Sequence, residues 1–285
     1  MNRLLHREME HAFPSENINV GGQLLHYLKI GAGPKLVLAF HGYANNASMF
    51  CFLEHPDYTV LSFDLPFQGK SEAAPGLIIS KEHLQQLVKE LMLIFNVPKI
   101  GLVGFSLGAR VCLCIAEQMP EHIRNIVLVA PDGTRPNYFY QFLTDTAIGR
   151  FSFRGFVRFG TLYIQLFSLL QKLGLLSRSL FTFAMQYIRT PESRQLLYNI
   201  WLSTSKLIPH LHKTKQNIKA KRIPVHLLVG QQDKVIPLQN AHYFKGHSAD
   251  IVIHVFDRGH NLLDYEEVRG TIAAWLFRTN PSTNS

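Results

Sequence analysis

The chain is predicted to fold as a mostly parallel α/β sheet with helices on both faces and a helical insertion, and three observations carry that prediction. Short apolar runs, Lys35 to Phe40, Tyr58 to Phe63, Lys99 to Val103 and Asn125 to Ala130, alternate with amphipathic stretches, as in parallel strands buried on both faces with crossover helices between them. The rhythm stops at Asp132-Gly133 and resumes with Val225 to Val229 and Ile251 to Phe256. With 285 residues, 47% hydrophobic and 17% charged, the chain can bury a sizeable core and still carry an insertion.

Taken in order, Gln23 to Ile30 ends at the turn Gly31-Ala32-Gly33-Pro34 and reads as an opening edge strand. The next two runs stop at His41-Gly42-Tyr43 and Asp64-Leu65-Pro66. Ser80 can cap a helix through about Phe95, with Leu84, Leu87, Val88, Leu91 and Phe95 on one face. A further helix follows Ser106 and is stopped by Pro120. From Thr134 to Ala220 the stretches Phe159 to Leu176, Leu180 to Ile188 and Arg194 to Leu207 read as helices. A closing helix from about Asp264 to Phe277 carries Val268, Ile272 and Trp275, and the polar tail Asn280 to Ser285 is expected to fray. The expected division is a core domain of residues 1–133 and 221–285 and an insertion of residues 134–220.

Composition excludes several classes. Three cysteines, Cys51, Cys112 and Cys114, are an odd number with a C-x-C pair on one expected helix, which argues against a disulfide framework and for a reducing, cytoplasmic compartment. The N-terminus lacks the apolar core of a signal peptide. The uncharged run Phe159 to Gln171 is shorter than the ~20 apolar residues a membrane span requires. Thr134 to Arg222 holds fourteen Lys and Arg against Asp145 and Glu192, a net charge of +12, while the remainder of the chain carries −3. No nucleic-acid recognition motif accompanies that charge, so no nucleic-acid partner is expected. Metal-site and phosphate-loop spacings are absent from the sequence, and neither metal nor cofactor is expected.

The chemistry centres on Gly104-Phe105-Ser106-Leu107-Gly108, a G-x-S-x-G pattern at a strand-to-helix turn. Such an elbow holds its serine in strained backbone geometry at a helix N-terminus, where backbone N–H groups favour developing negative charge. Five residues alone also fit an ordinary turn with a capping serine. A serine nucleophile requires a base and a carboxylate to orient it. Asp233 lies just beyond the run Val225 to Val229, and His260 just beyond Ile251 to Phe256. Groups at the carboxyl ends of neighbouring parallel strands converge on one crevice. Asp132, beyond Asn125 to Ala130, is the rival acid.

In these motifs the sequence resembles the α/β-hydrolase family over nearly its whole length. His41-Gly42, the segment Asp64 to Ser71 in place of D-x-P-G-x-G-x-S, the elbow, G-x-x-D-x-x-x-P around Asp233 and Gly259-His260 follow in family order. The departure is Phe67, where a glycine is usual. The resemblance implies an α/β-hydrolase fold with the insertion as a lid (cap) over the site. It also implies Ser106 as nucleophile, His260 as general base and then acid, Asp233 as orienting carboxylate, and the backbone N–H groups of Tyr43 and Leu107 as oxyanion hole. The expected activity is cleavage of a carboxylic ester with an apolar acyl chain through an acyl-enzyme, without a cofactor. Thioester or carbon–carbon hydrolysis and acyl transfer are open on the same residues, as is a non-catalytic receptor, because fold does not fix function. The basic insertion, with Arg150, Arg154 and Arg158 four apart, is expected to meet anionic lipid at the inner face of a membrane or to bind an anionic soluble substrate.

Overall fold

In a computed structural model, which describes residues 12–173, 185 and 188–277, the apolar runs become strands of one eight-stranded sheet. The strands are β1 (Ser15–Val20), β2 (Gln23–Ile30), β3 (Lys35–Phe40), β4 (Tyr58–Phe63), β5 (Ile100–Phe105), β6 (Ile123–Val129), β7 (Val225–Gly230) and β8 (Ile251–Phe256), in the order β1-β2-β4-β3-β5-β6-β7-β8. β2 pairs antiparallel with β1 and β4, and every other pairing is parallel. Nine helices are described: α1 (Lys81–Ile94), α2 (Leu107–Gln118), α3 (Tyr138–Asp145), α4 (Ala147–Arg158), α5 (Gly160–Lys172), α6 (Pro191–Ser203), α7 (Leu211–Lys221), α8 (Leu238–Lys245) and α9 (Glu266–Leu276).

One expectation is corrected at the start of the chain. Gln23–Ile30 is the second strand, not the edge, because β1 precedes it through a turn at Gly21-Gly22, both with positive φ. In β1, Ser15, Glu16 and Asn17 are exposed and only Ile18 and Val20 are buried, a polar composition suited to a sheet edge.

Strand alternation divides the core. Val37, Ala39, Val103, Phe105, Val127 and Val129 pack with Phe50 and Leu53 of a short 3-10 helix and with Val268, Ile272 and Leu276 of α9. The alternate residues Leu36, Leu38, Leu102, Ile126 and Leu128 are equally buried and point to the opposite face. There α2 lies against β3, β5 and β6. α1 starts at Ser80, whose hydroxyl accepts the His83 N–H while the His83 ring accepts the Ser80 N–H, and it buries Leu84, Leu87, Val88 and Leu91.

The chain divides into two compact units. The first comprises residues 1–72, 80–135 and 207–285 and holds the sheet; the second comprises residues 73–79 and 136–206. In the second unit Phe153 of α4 is the aromatic hub, edge-on to Tyr198 and Trp201 of α6 at centroid distances of 5.1 and 5.6 Å. Tyr140 of α3 donates its hydroxyl to the Trp201 carbonyl at 2.9 Å, and the Ile79 N–H donates to Ser203 O at 2.7 Å. Arg194 is buried and donates to the carbonyls of Ile188 and Arg189. The expected helix over Leu180 to Ile188 and the expected frayed tail lie outside the described residues, apart from positions 185 and 188. Among the described residues no helix is long and apolar enough to cross a membrane.

Candidate active site

Parallel order brings the carboxyl ends of β5, β6, β7 and β8 side by side, and these ends are followed by Ser106, Asp132, Asp233 and His260 respectively. Each position has a local cause. Ser106 has φ 49° and ψ −113°, a region strained for a residue with a Cβ. It is held by its neighbours: its N–H donates to Val129 O at 2.9 Å, and its carbonyl accepts the N–H groups of Ala109 and Asp132 at 3.0 and 3.2 Å. Glycine is required around it, since a Cβ on Gly108 would collide with the Phe40 carbonyl and one on Gly104 with the backbone of Gly108 and Ala109. The two glycines let α2 start close against the strands.

Asp233 sits in the turn after β7, and its backbone there is bound to the loop after β8. Gln231 N–H donates to Phe256 O and Gln232 N–H to Arg258 O, at 2.8 and 2.9 Å. That approach needs Gly230, where a Cβ would meet the carbonyls of Arg258 and Gly259. The buried Asp233 carboxylate accepts the N–H groups of Val235 and Ile236 on Oδ1, at 2.8 and 2.9 Å, and His260 Nδ1–H on Oδ2 at 2.7 Å. This bond assigns the tautomer and leaves His260 Nε2 to accept the Ser106 hydroxyl, 3.2 Å away. Phe105 lies beside the imidazole at a centroid distance of 5.3 Å. Ser106, His260 and Asp233, distant in sequence, form one hydrogen-bonded chain.

Asp132 is engaged elsewhere. Its Oδ2 accepts from Arg110 Nη2, and its Oδ1 accepts the Gly133 N–H at 2.7 Å. Sequence reasoning did not single out Arg110. The signal was there: an arginine inside the apolar face of α2, 6% exposed, requires an acid, and Asp132 ends the adjacent strand.

The loop after β3 passes close to the serine, since a Cβ on Gly42 would stand 3.1 Å from Ser106 Cβ. Tyr43 follows Gly42, and Ala44 has φ 55° and donates its N–H to Gln68 Oε1 at 2.7 Å. Gln68 is a second residue the sequence did not flag; it is buried and ties the segment after β4 to this loop. Leu107 is the first residue of α2. His41 is fully buried, donates Nδ1–H to Gly42 O at 2.7 Å and accepts the Leu65 N–H on Nε2 at 3.0 Å, so it orders the loop as a neutral ring. Burial pushes its pKa down, against smaller opposing effects of Asp64 and the Gly42 carbonyl.

Asp64 is likewise structural. Its carboxylate accepts from Ala47 N, Lys70 N and His26 Nδ1 at 2.6, 2.8 and 2.7 Å. Burial works to raise its pKa, but the hydrogen bond from His26, the electrostatic influence of the neighbouring His41 and the two backbone N–H groups together hold it below the ordinary carboxylate value. The departure at Phe67 has a conformational cost, because Phe67 adopts φ 64°, which a glycine would adopt freely. Cys112 and Cys114 are buried, and burial pushes the Cys114 thiol up to about 12, so neither supplies a thiolate. Among the described residues no three His, Cys, Asp or Glu side chains are disposed to hold a metal ion.

The chain belongs to the alpha/beta hydrolase fold family, whose model matches residues 35–267. Among curated proteins it is similar to the uncharacterized hydrolase YugF of Bacillus subtilis (strain 168), 29% identical over 129 residues, which are 44% of this chain and 47% of that protein. It is also similar to the dihydrolipoyllysine-residue acetyltransferase component of the acetoin cleaving system of Pseudomonas putida, 28% identical over 127 residues, 41% of this chain and 33% of that protein. The matched stretch thus spans about half of the first relative and a third of the second. Solved structures with the same fold include a thermophilic esterase from Thermogutta terrifontis, with TM-score 0.64, 20% identity and coverage of 92% of this chain and 98% of that one. A thioesterase domain from the curacin biosynthetic pathway matches with TM-score 0.59 and 16% identity, over 93% of this chain and 99% of that one. At these identities the likeness is one of fold.

Proposed function

We propose that the protein is a serine hydrolase that cleaves a carboxylic ester through an acyl-enzyme. The observation that carries the proposal is His260, whose two ring nitrogens meet Ser106 Oγ at 3.2 Å and Asp233 Oδ2 at 2.7 Å. In this reading Nε2 takes the hydroxyl proton as Oγ attacks the ester carbonyl. Asp233 stabilises the imidazolium that results. The carbonyl oxygen becomes an oxyanion facing the backbone N–H groups of Leu107 and Tyr43. The intermediate expels the alkoxide, which takes the proton from Nε2. Water, deprotonated by the same nitrogen, then attacks the acyl-enzyme and releases the acid and Ser106. No residue outside this set has to move a proton. The working compartment is the cytoplasm, a reading supported by three buried cysteines, none of them in a disulfide.

A fluorophosphonate probe tests the nucleophile. Ser106 is expected to be labelled, and Ser106→Ala to abolish labelling and lower kcat by roughly 10⁴ to 10⁶. Equal labelling of both proteins overturns the assignment, and an unlabelled parent protein points to a ligand-binding receptor on the same fold. The second enzymatic reading, acyl transfer, takes its support from the name of the Pseudomonas putida relative. A panel of oxygen esters and thioesters graded in acyl length, with and without a thiol acceptor, ranks ester hydrolysis against thioester hydrolysis and transfer and gives the acyl preference.

A further inference from the structure

The helical unit of residues 136–206 contains eight Lys and Arg against only Asp145 and Glu192. Several of those cations serve structure. Arg150 folds back so that its Nη1 donates to the carbonyls of Thr144 and Asp145, at 3.1 and 2.9 Å, and closes the C-terminus of α3. This removes it from the exposed row in which its spacing had placed it with Arg154 and Arg158. Arg194 is buried, and Lys206 pairs with Asp145 at 3.1 Å. Arg154 and Arg158 are exposed, and no acidic side chain pairs with them among the described residues.

Their helix is double-faced. Gly149 and Phe153 turn inward and are buried, Gly149 so tightly that a Cβ would meet the Phe142 carbonyl. The opposite side repeats at intervals of four, three and four, Ala147, Phe151, Arg154 and Arg158, which is one face of an α-helix. Phe151 there is 75% exposed, and Ile148 beside it 72%. On the adjoining α3, Tyr138 and Phe139 are 76% and 67% exposed. An ordinary solvated face mixes both signs of charge and few large apolar side chains. This one combines unburied aromatic rings with two cations, and its one carboxylate, Asp145 at the end of α3, is paired with Lys206.

We infer that the exposed face of α3 and α4, with Tyr138, Phe139, Ile148 and Phe151 as apolar anchors and Arg154 and Arg158 as phosphate contacts, docks on an anionic lipid bilayer. Apolar rings enter the acyl boundary while arginine stems lie along it and their guanidinium groups reach headgroup phosphates. Charge complementarity selects this occupant. A second copy would bring a net +6 unit against another, and a soluble anion would not use rings spread along two helices. α7, with Lys213, Lys219 and Lys221 exposed, is also basic, but its large apolar residue Ile218 is buried. It offers charge without anchors. The inference does not depend on whether Ser106 is a nucleophile.

The test is co-sedimentation of the full chain with phosphatidylglycerol or phosphatidylcholine vesicles, at about 0.01 M and about 1 M salt, where screening lengths are roughly 30 and 3 Å. Binding to the anionic vesicles at low salt, weakened at high salt and absent from the neutral ones, is expected. Arg154→Glu with Arg158→Glu should weaken it at least ~10-fold, by the usual contribution of a basic residue at such a surface, and Phe151→Ser with Ile148→Ser should do the same. Lys219→Glu with Lys221→Glu is the control and should change it less than ~3-fold. An unchanged circular-dichroism spectrum and thermal midpoint verify folding. Phe151→Trp keeps the anchor and adds a reporter, whose emission should shift to the blue and be quenched by brominated lipid. Three outcomes overturn the inference: no sedimentation with anionic vesicles, equal loss from the lysine pair, or a reporter that shifts only as the protein self-associates.

Discussion

Asp132 and Asp233 end neighbouring strands with the same side chain, and their hydrogen bonds separate them. Asp233 spends Oδ2 on His260, whereas Asp132 is held by Arg110 and the Gly133 N–H. Asp233→Asn is therefore expected to lower kcat by about 10⁴, through loss of the tautomer and of the charge that supports an imidazolium. Asp132→Asn should change kcat less than ~10-fold while lowering stability by about 1–3 kcal/mol, the worth of a hydrogen bond to a charged group. The reverse ranking in steady-state kinetics would transfer the acid to β6. His41 gives a second prediction. Its folded-state pKa is depressed by burial, so below the ordinary histidine pKa of ~6.5 the unfolded chain binds a proton that the folded chain does not. Stability then falls as pH drops from ~6.5. Asp64, also depressed, adds a second loss that begins as pH falls into the ordinary carboxylate range. Urea midpoints measured between pH 7 and 5 should decline in the parent, and the decline should flatten in His41→Gln. The approximate placement of Ser106, Asp233 and His260 was legible because each follows a strand-like run. Gln68 was not, because its role depends on which loops the sheet brings together.

At the scale of elements, the elbow shows what a glycine pattern can and cannot say. G-x-S-x-G marks a turn, but which atoms Gly108 makes room for, the Phe40 carbonyl of the neighbouring strand, follows only from the pairing of β3 with β5. Gly108→Ala is expected to cost about 1–3 kcal/mol or more, because both the helix and the strand would have to shift. Gly270, inside α9, has no atom within 4 Å of a would-be Cβ, and alanine is the better helix former by ~1 kcal/mol. Gly270→Ala should accordingly raise the thermal midpoint, by roughly 2 °C for a domain of this size. A fall in that variant would mean that helix α9 is not exposed at this position. The boundaries of β4, β8 and α1 were readable from uninterrupted apolar runs and from Ser80 at the helix start. β1 was not, since two buried residues, Ile18 and Val20, are too few to stand out from a polar segment.

Across the whole molecule, the order of the strands is the least readable level, because nothing in a local apolar run states its neighbour. The parallel character could be read from length and spacing, but the insertion of β3 between β4 and β5 could not. Nor could the partition of charge: the basic segment from Thr134 to Arg222 contributes to both compact units, since α7 with its lysines belongs with the sheet. The sheet order carries a prediction about where the molecule opens. Every residue of β4 and β5 is buried, and β3 and β6 are nearly so, whereas β8 lies at one edge with Val252 and Val255 exposed and β1 at the other with four exposed residues. Local opening is easiest where few apolar contacts and few shared hydrogen bonds must be broken. Amides of β5 and β6 are thus expected to exchange with solvent only on global unfolding, and those of β1 and β8 at least ~10²-fold faster. A β8 as protected as β5 would mean that this edge is covered in solution, and repeating the exchange at tenfold lower protein concentration would then show whether a second copy covers it.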